Sequence, residues 1–399
     1  MTTATEASPQ ALRARMVDRI LASQRLSPAV EAALRRVERH RYVPNAPLAD
    51  AYEEKAVITH TFPDGTHLSC ASGPSIVAGM LNALDVHPGQ RIMEIGAGTG
   101  YNAALLATLT GANGQVTTVD INAEVTVDAR GNLDHTGFNH VRVITRDGAE
   151  GAAEHAPYDR VIVTAGAWDM PQPWWDQLVP GARLVLPLRW RGTTRAVAFV
   201  KRDDHWESDW VFLCGFVPMF GQPGEQHATI DPDGLVTLHY DADQPIDIAA
   251  LQGVLDRPKS VVWSQATVHG QEPFDRVWLR LSVADGATVR IEADQKAITS
   301  GRCTPAIATR SPALANQDSL AYFTIRRAEA TPGRWQLGAI GHGPLGHQLA
   351  TRIVEQIDAW DQNRTADPNL LACPTGLPLP SNITGRTIVK PNIRLILRY

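Results

Sequence analysis

The sequence predicts an α/β protein: a doubly wound, mostly parallel sheet with N-terminal helices before it and a C-terminal α+β domain after it. From Arg91 to about Leu188, short apolar runs alternate with helical stretches, which is typical of parallel sheets covered on both faces. A glycine-rich turn follows the first of these runs. After about residue 225, short strand-like runs are separated by Gly, Pro and Asp turns. We therefore expect two domains, residues 1–225 and 226–399.

The first 45 residues predict two helices. Ser8-Pro9 and Ser27-Pro28 each place a capping hydroxyl before a proline at the first helical position. Residues 11–42 contain eight arginines and only three acidic side chains. We interpret this run as a solvated helix face, with a basic arm near an acidic peptide substrate as the alternative.

The elements of the predicted sheet follow one another in a regular order. The expected strands are RIMEI, QVTTVDI, VRVITRD, YDRVIVTAG and ARLVLPL, and the expected helices are GPSIVAGMLNAL, YNAALLATL and AEVTVDARGNLDHTG. In the second domain, the runs VVWSQATV, VWLRLSV, AYFTIR and NIRLILRY predict strands, and residues 346–362 predict a helix.

Composition excludes several classes of protein. The 399 residues are 44% hydrophobic and 20% charged, with a net charge of −5, which argues against a dedicated nucleic-acid or membrane-surface binder. No apolar run is long enough to span a bilayer, and the first residues do not resemble a secretion signal. Four widely spaced cysteines form no CxxC pair, so we expect a cytoplasmic protein without disulfides.

The strongest local motif is a glycine loop between the first strand and its helix. Its G-x-G-x-G spacing allows the backbone to turn tightly and approach a ligand, and Tyr101 stands where the dinucleotide fingerprint has its third glycine. The candidate cofactor-binding residues of this loop are Glu94, Gly96, Ala97, Gly98, Thr99, Gly100 and Tyr101.

Two further carboxylates follow the next two strands. Asp120, 24 residues after Gly96, is placed to bind ribose hydroxyls, with Ile121 beside it. Asp147 and Gly148 follow the third strand, where an adenine edge would lie. Because parallel strands end at one edge of the sheet, the three features predict a nucleoside site there. The alternative is a set of turns and helix-capping aspartates without a ligand.

With E-x-G-x-G-x-G, VDI and RDG in this order, the segment resembles the class I S-adenosylmethionine-dependent methyltransferases. The resemblance implies a Rossmann-like domain, S-adenosylmethionine as the methyl donor and S-adenosylhomocysteine as the product. The Asn/Asp-Pro-Pro-Tyr/Phe and Pro-Cys motifs of nucleic-acid methyltransferases are absent from the sequence. We therefore expect no nucleic-acid substrate.

Residues about 35–190 are similar to the protein-L-isoaspartate O-methyltransferase family. The similarity lies in RYVP, ASGPS, PYDRVIVTAGA and WWDQLVPGARLVLPL. It implies that Ser72, in the turn Ser72-Gly73-Pro74, lies beside the methyl donor and the acceptor carboxylate, although Cys70 replaces the threonine of the family's turn. Further substrate-binding candidates are His67, Ser69, Ser75 and Trp168.

A carboxylate acceptor suits a site without an evident general base. Its ordinary pKa of about 4 leaves it ionised at neutral pH. Ser72 therefore needs only to orient the acceptor oxygen. His60, His67 and Cys70 lack a fourth ligand, and we expect no metal.

The last 170 or so residues extend beyond the compact repair enzyme. Such an extension, with the motifs LDRP, IGHGP and IDAWD, resembles the O-methyltransferases of ribosomal-peptide gene clusters, especially FxLD-type lanthipeptide systems. That resemblance implies methylation of an aspartate in a macrocyclic precursor peptide, leading to aspartimide and isoaspartate. The alternatives are general isoaspartyl repair, modification of graspetides, and a donor-binding scaffold without catalysis.

Overall fold

The structure, a computed structural model, describes residues 8–222, 224–379 and 384–399. The chain forms two compact units, each built from several segments. The first contains Met1–Leu188, Arg195–Met219 and Ala372–Pro378, and the second Arg189–Thr194, Phe220–Leu371 and Leu379–Tyr399. The domain boundary at residue 225 stays a prediction.

The helices of the described residues are α1 (Pro9–Ser23), α2 (Pro28–Arg36), α3 (Pro74–Leu84), α4 (Tyr101–Thr110), α5 (Ala123–His135), α6 (Gln172–Asp176), α7 (Ile248–Leu251), α8 (Asp275–Ala284), α9 (Gln295–Thr299) and α10 (Gly346–Gln362). The strands are β1 (Val57–Thr61), β2 (His67–Ala71), β3 (Arg91–Ile95), β4 (Gln115–Asp120), β5 (Arg142–Thr145), β6 (Tyr158–Val163), β7 (Leu178–Trp190), β8 (Thr193–Lys201), β9 (Trp206–Leu213), β10 (Glu225–Thr229), β11 (Val236–Asp241), β12 (Lys259–His269), β13 (Thr288–Ala293), β14 (Ser311–Asn316), β15 (Ser319–Arg327), β16 (Arg334–His342), β17 (Asn369–Pro374), β18 (Arg386–Val389) and β19 (Ile393–Arg398). Within these ranges, no helix combines the length and apolar character that a membrane crossing requires.

The two predicted N-terminal helices form as expected, and each has its serine cap. The Ser8 hydroxyl accepts a hydrogen bond from the Ala11 amide, and the Ser27 hydroxyl accepts one from the Val30 amide. The interpretation of the arginine run as a solvated face is wrong for Arg39, which follows α2 and is fully buried.

The sheet of the first unit confirms the predicted α/β class. Its strands lie in the order β9-β8-β7-β6-β3-β4-β5, and β7, β6, β3, β4 and β5 are parallel. Ile95 pairs with both Val119 and Val163, so the central strands end together. The glycine loop and the residues that follow β4 and β6 therefore lie at one edge of the sheet.

The second unit is built on an antiparallel sheet in the order β10-β11-β13-β14-β15-β16-β12. The predicted strand VWLRLSV is wrong, because these residues form α8. The apolar residues of this run alternate as they would in a strand, yet Trp278 between them is also buried, and Val277 and Leu281 pack with Leu349 and Ile353 of α10. Helix packing decides the structure against the local pattern.

Candidate functional site

The loop between β3 and α4 favours glycine at three positions. Gly96, Gly98 and Gly100 have φ of +99°, +51° and +82°, a region that side-chain-bearing residues rarely adopt. A Cβ on Gly96 would lie 2.3 Å from the Thr164 hydroxyl, and one on Gly100 would lie 3.1 Å from the Ala129 carbonyl oxygen. The loop therefore lies close to the end of β6 and to the middle of α5. The other loop residues, Ala97, Thr99 and Tyr101, are buried.

Asp120 lies at the end of β4 with its carboxylate turned towards the loop. Its Oδ2 accepts a hydrogen bond from the Gly98 amide at 3.3 Å, and its Oδ1 accepts one from the Asn122 amide at 3.1 Å. Burial raises the pKa of Asp120. The amides of Ala97 and Ile121 also interact with this carboxylate and, like those of Gly98 and Asn122, act to lower its pKa. The next residue, Ile121, has 47% of its surface exposed, so it offers an apolar surface beside the carboxylate.

Asp147 and Gly148, at the edge beyond β5, also have local structural roles. The Asp147 carboxylate accepts a hydrogen bond from the Ala149 amide at 2.9 Å and caps a single helical turn. A Cβ on Gly148 would lie 2.4 Å from a methyl of Ile95, and the Trp174 indole donates to the Gly148 carbonyl at 2.9 Å. Capping and packing account for both residues, and a role at the adenine stays a prediction.

Glu94, the first residue of the motif, is completely buried beneath the loop. Its carboxylate accepts hydrogen bonds from the Thr118 hydroxyl at 2.6 Å and from the Asn102 amide at 2.8 Å. Burial outweighs these bonds and raises the pKa of Glu94 to about 7. Glu94 therefore ties β3 to β4 and α4, and it takes up a proton near neutral pH.

We expect this proton to make stability depend on pH. The folded-state pKa of about 7 exceeds the ordinary 4.5, so the folded protein binds the proton more tightly than the unfolded chain. This contribution is complete below pH 4.5 and is lost as the pH rises through 7, with a slope of at most about 1.4 kcal/mol per pH unit. Urea unfolding of the wild type and Glu94→Gln from pH 5 to 8 tests this, because glutamine mimics the protonated side chain. The stability of the wild type relative to Glu94→Gln should fall with rising pH, and a constant difference would contradict the assignment.

The strand that leads into the Ser72 turn lies against the glycine loop. A Cβ on Gly98 would lie 3.5 Å from the Cys70 carbonyl oxygen and 3.9 Å from the Ser69 hydroxyl, so β2 and the loop are van der Waals neighbours. The Ser72 hydroxyl contacts the Cys70 thiol, whose pKa is raised by burial. Both groups lie where β2 ends and α3 is about to begin.

The remaining substrate-binding candidates have different surroundings. Ser69 is buried in β2 beside Gly98, and the Ser75 amide donates a hydrogen bond to the Glu54 carboxylate at 3.0 Å. His67 is exposed at the start of β2, whereas Trp168 is buried after β6. The structure thus places Ser69 with Ser72 near the loop, and His67 at the solvent.

The sequence interpretation missed several residues that shape this site. Arg39 donates to the carbonyls of Ala71 and Ser72, and Thr164 donates to the Gly96 carbonyl at 2.7 Å. Asn102 and Thr118 hold the Glu94 carboxylate. The sequence signal for Arg39 was its position two residues before the motif RYVP. Its burial and its partners far along the chain do not follow from that position.

The parallel sheet, the glycine loop after β3 and the carboxylate at the end of β4 define a class I methyltransferase. The family model for protein-L-isoaspartate(D-aspartate) O-methyltransferase (PCMT) matches residues 13–224. The chain is 38% identical over 222 residues to the protein-L-isoaspartate O-methyltransferase of Hyperthermus butylicus, covering 53% of this chain and 90% of the relative. It is 45% identical over 153 residues to that of Methanocella arvoryzae, covering 38% and 78%. The chain belongs to the protein-L-isoaspartate O-methyltransferase family, and it is a carboxyl O-methyltransferase that depends on S-adenosylmethionine.

A solved protein-L-isoaspartate O-methyltransferase shares the fold, with a TM-score of 0.52 at 18% identity. The match covers 92% of this chain and 98% of that structure, so it continues beyond residue 224.

Proposed function

We propose that this protein methylates the carboxylate of isoaspartyl residues in peptides and proteins. The observation that carries the proposal is the contact between the glycine loop and the end of β2, close to the Ser72 turn. Family membership supports isoaspartate as the methyl acceptor, because the relatives are named protein-L-isoaspartate O-methyltransferase. We therefore favour a general isoaspartyl substrate, which the sequence left as an alternative, over a lanthipeptide substrate.

The residues at the sheet edge suit S-adenosylmethionine, which supplies a methyl group on a positively charged sulfur when it is bound. Asp120 presents two carboxylate oxygens beside the glycine loop, and a ribose diol requires such a pair of acceptors. The exposed side chain of Ile121 offers a face on which adenine can lie. Gly98 leaves room between Asp120 and β2 that a larger residue would occupy.

The chain's task at the acceptor is to position a group that is already ionised. Ser72 is partly exposed, and its hydroxyl can donate to one carboxylate oxygen while the other attacks. In the transfer, the attacking oxygen forms a bond to the methyl carbon, the carbon–sulfur bond breaks, and its electron pair stays on sulfur. The products are a methyl ester and S-adenosylhomocysteine. Alignment of the reacting atoms, rather than proton transfer, is what the site has to provide.

A dedicated substrate, an aspartate in a macrocyclic lanthipeptide-type precursor, is the second candidate. Its support is the chain beyond residue 224, with the motifs LDRP, IGHGP and IDAWD. One residue of each motif has a structural role. The Arg257 guanidinium donates to the Ala250 carbonyl at 2.9 Å, a Cβ on Gly341 would clash with the backbone of Gly346, and the Ser264 hydroxyl donates to the Asp358 carboxylate. A graspetide precursor would be a third acceptor of the same kind.

The deciding experiment compares two short, unstructured peptides that differ only in carrying isoaspartate or aspartate at one position. Release of S-adenosylhomocysteine is followed, and donor binding is measured by calorimetry in the same sample. We expect turnover of the isoaspartyl peptide only. An enzyme of known isoaspartyl activity serves as the positive control.

Two results would overturn the proposal. If the donor binds and neither linear peptide is methylated, but the cyclised precursor peptide encoded beside the gene is, the lanthipeptide candidate replaces isoaspartyl repair. If the donor binds and no acceptor is methylated, the protein is a donor-binding scaffold.

A further inference from the structure

Arg39 is a buried arginine that holds the turn carrying Ser72. It has no exposed surface, and its Nη2 donates to the carbonyls of Ser72 at 2.8 Å and Ala71 at 3.1 Å. Its Nε donates to the Ala51 carbonyl at 2.7 Å. In the described part of the chain its Nη1 has no hydrogen-bond partner. The side chain thus bonds two separate segments through backbone carbonyls.

The same guanidinium also touches the donor side of the site. It lies over the ring of Tyr101, 5.0 Å from the ring centroid, and Tyr101 is the first residue of α4, directly after the glycine loop. The Tyr42 ring packs edge-on against Tyr101 at 5.6 Å. Arg39 is therefore in contact both with the acceptor turn and with the helix that begins at the donor loop.

Burying a cation in this way is costly, and the cost has a structural consequence. Desolvation lowers the pKa of Arg39, and the carbonyl dipoles and the face of the Tyr101 ring stabilise the charge in place of water. A guanidinium presents its donors in one rigid plane. It can therefore satisfy carbonyls from two segments only when those segments keep their relative positions.

Resting on the proposed function, we propose that Arg39 is a positioning residue for methyl transfer: it sets the distance and angle between the Ser72 turn and the glycine loop. Transfer requires the acceptor oxygen, the methyl carbon and the sulfur to lie in line. A displacement of about 1 Å caused by a residue outside the reacting atoms can cost about 100-fold in rate. Arg39 touches neither the acceptor nor the donor and acts through the turn and Tyr101.

The test uses Arg39→Lys and Arg39→Met in the full chain. Lysine keeps the charge but cannot bond both segments in one plane, and methionine keeps only the apolar stem. We expect kcat per donor-binding site to fall about 10-fold for lysine and about 100-fold for methionine. The dissociation constant of S-adenosylhomocysteine should stay within about twofold, because the Asp120 contacts are left intact.

The control is Arg183→Met. Arg183 likewise binds a backbone carbonyl, that of Ala83 at 2.9 Å, and it pairs with Asp209. This variant should lower the melting temperature and leave kcat per donor-binding site unchanged. A merely structural Arg39 would behave in the same way, so unchanged kcat in both Arg39 variants would overturn the inference.

A double-mutant cycle with Tyr101→Leu tests whether Arg39 acts through Tyr101. The losses in kcat from Arg39→Met and Tyr101→Leu should be less than multiplicative, because both disrupt one contact. Multiplicative losses would contradict the proposed link. Failure of the proposed function is distinct, since the wild type itself would then methylate no isoaspartyl peptide.

Discussion

Asp120→Ala should weaken binding of S-adenosylhomocysteine by about 100-fold or more, as measured by calorimetry. Hydrogen bonds to a charged group contribute roughly 1.5–3 kcal/mol each, and a ribose diol would make two of them with this carboxylate. The substitution also removes the bonds that the Gly98 and Asn122 amides donate to the side chain, which hold the loop. The loss of ligand bonds and the loss of loop order both weaken the binding of S-adenosylhomocysteine.

Two further variants separate these contributions. Asp120→Asn keeps one accepting oxygen without the charge, and its affinity should lie between those of the wild type and the alanine variant. Asp209→Ala removes a largely exposed carboxylate that pairs with Arg183, and it should leave affinity unchanged. Wild-type affinity in Asp120→Ala would show that the ribose is held elsewhere.

Ser72→Ala should lower kcat about 10- to 100-fold, the effect of losing one hydrogen bond to a charged oxygen during transfer. Donor affinity should stay within about twofold, because Ser72 contacts Cys70 and Arg39 rather than Asp120. The measurement is steady-state turnover of the isoaspartyl peptide together with calorimetric titration of S-adenosylhomocysteine.

The neighbouring serines make this prediction specific. Ser69 is buried beside Gly98, and Ser75 is bonded through its amide to Glu54, so alanine at either position should affect kcat less than Ser72→Ala does. Ser23, at the end of α1, is the control and should have no effect when replaced by alanine. A larger loss of kcat for Ser69→Ala than for Ser72→Ala would show that the acceptor contact is made by Ser69, in β2, instead.

The pH and positioning predictions depend on groups whose behaviour could not be predicted from sequence. Glu94 is recognisable as the first residue of the motif, but its raised pKa results from burial between β4 and α4. Arg39 lies within a basic run that resembles a solvated surface, and its hydrogen-bond partners are 12 to 33 residues further along the chain. Charge and hydropathy describe neighbours in the sequence, whereas burial depends on elements that pack from elsewhere.

The sequence by itself determined the parallel sheet, the two capped N-terminal helices, the glycine loop and the aspartate at the end of β4. Each depends on a short-range rule: the alternation of buried strands with helices, a hydroxyl before proline, or backbone angles that favour glycine. Only the tertiary structure decided that VWLRLSV is a helix, that β2 lies against Gly98 and that Arg39 joins the Ser72 turn to Tyr101. These depend on contacts between distant segments, which local patterns do not encode.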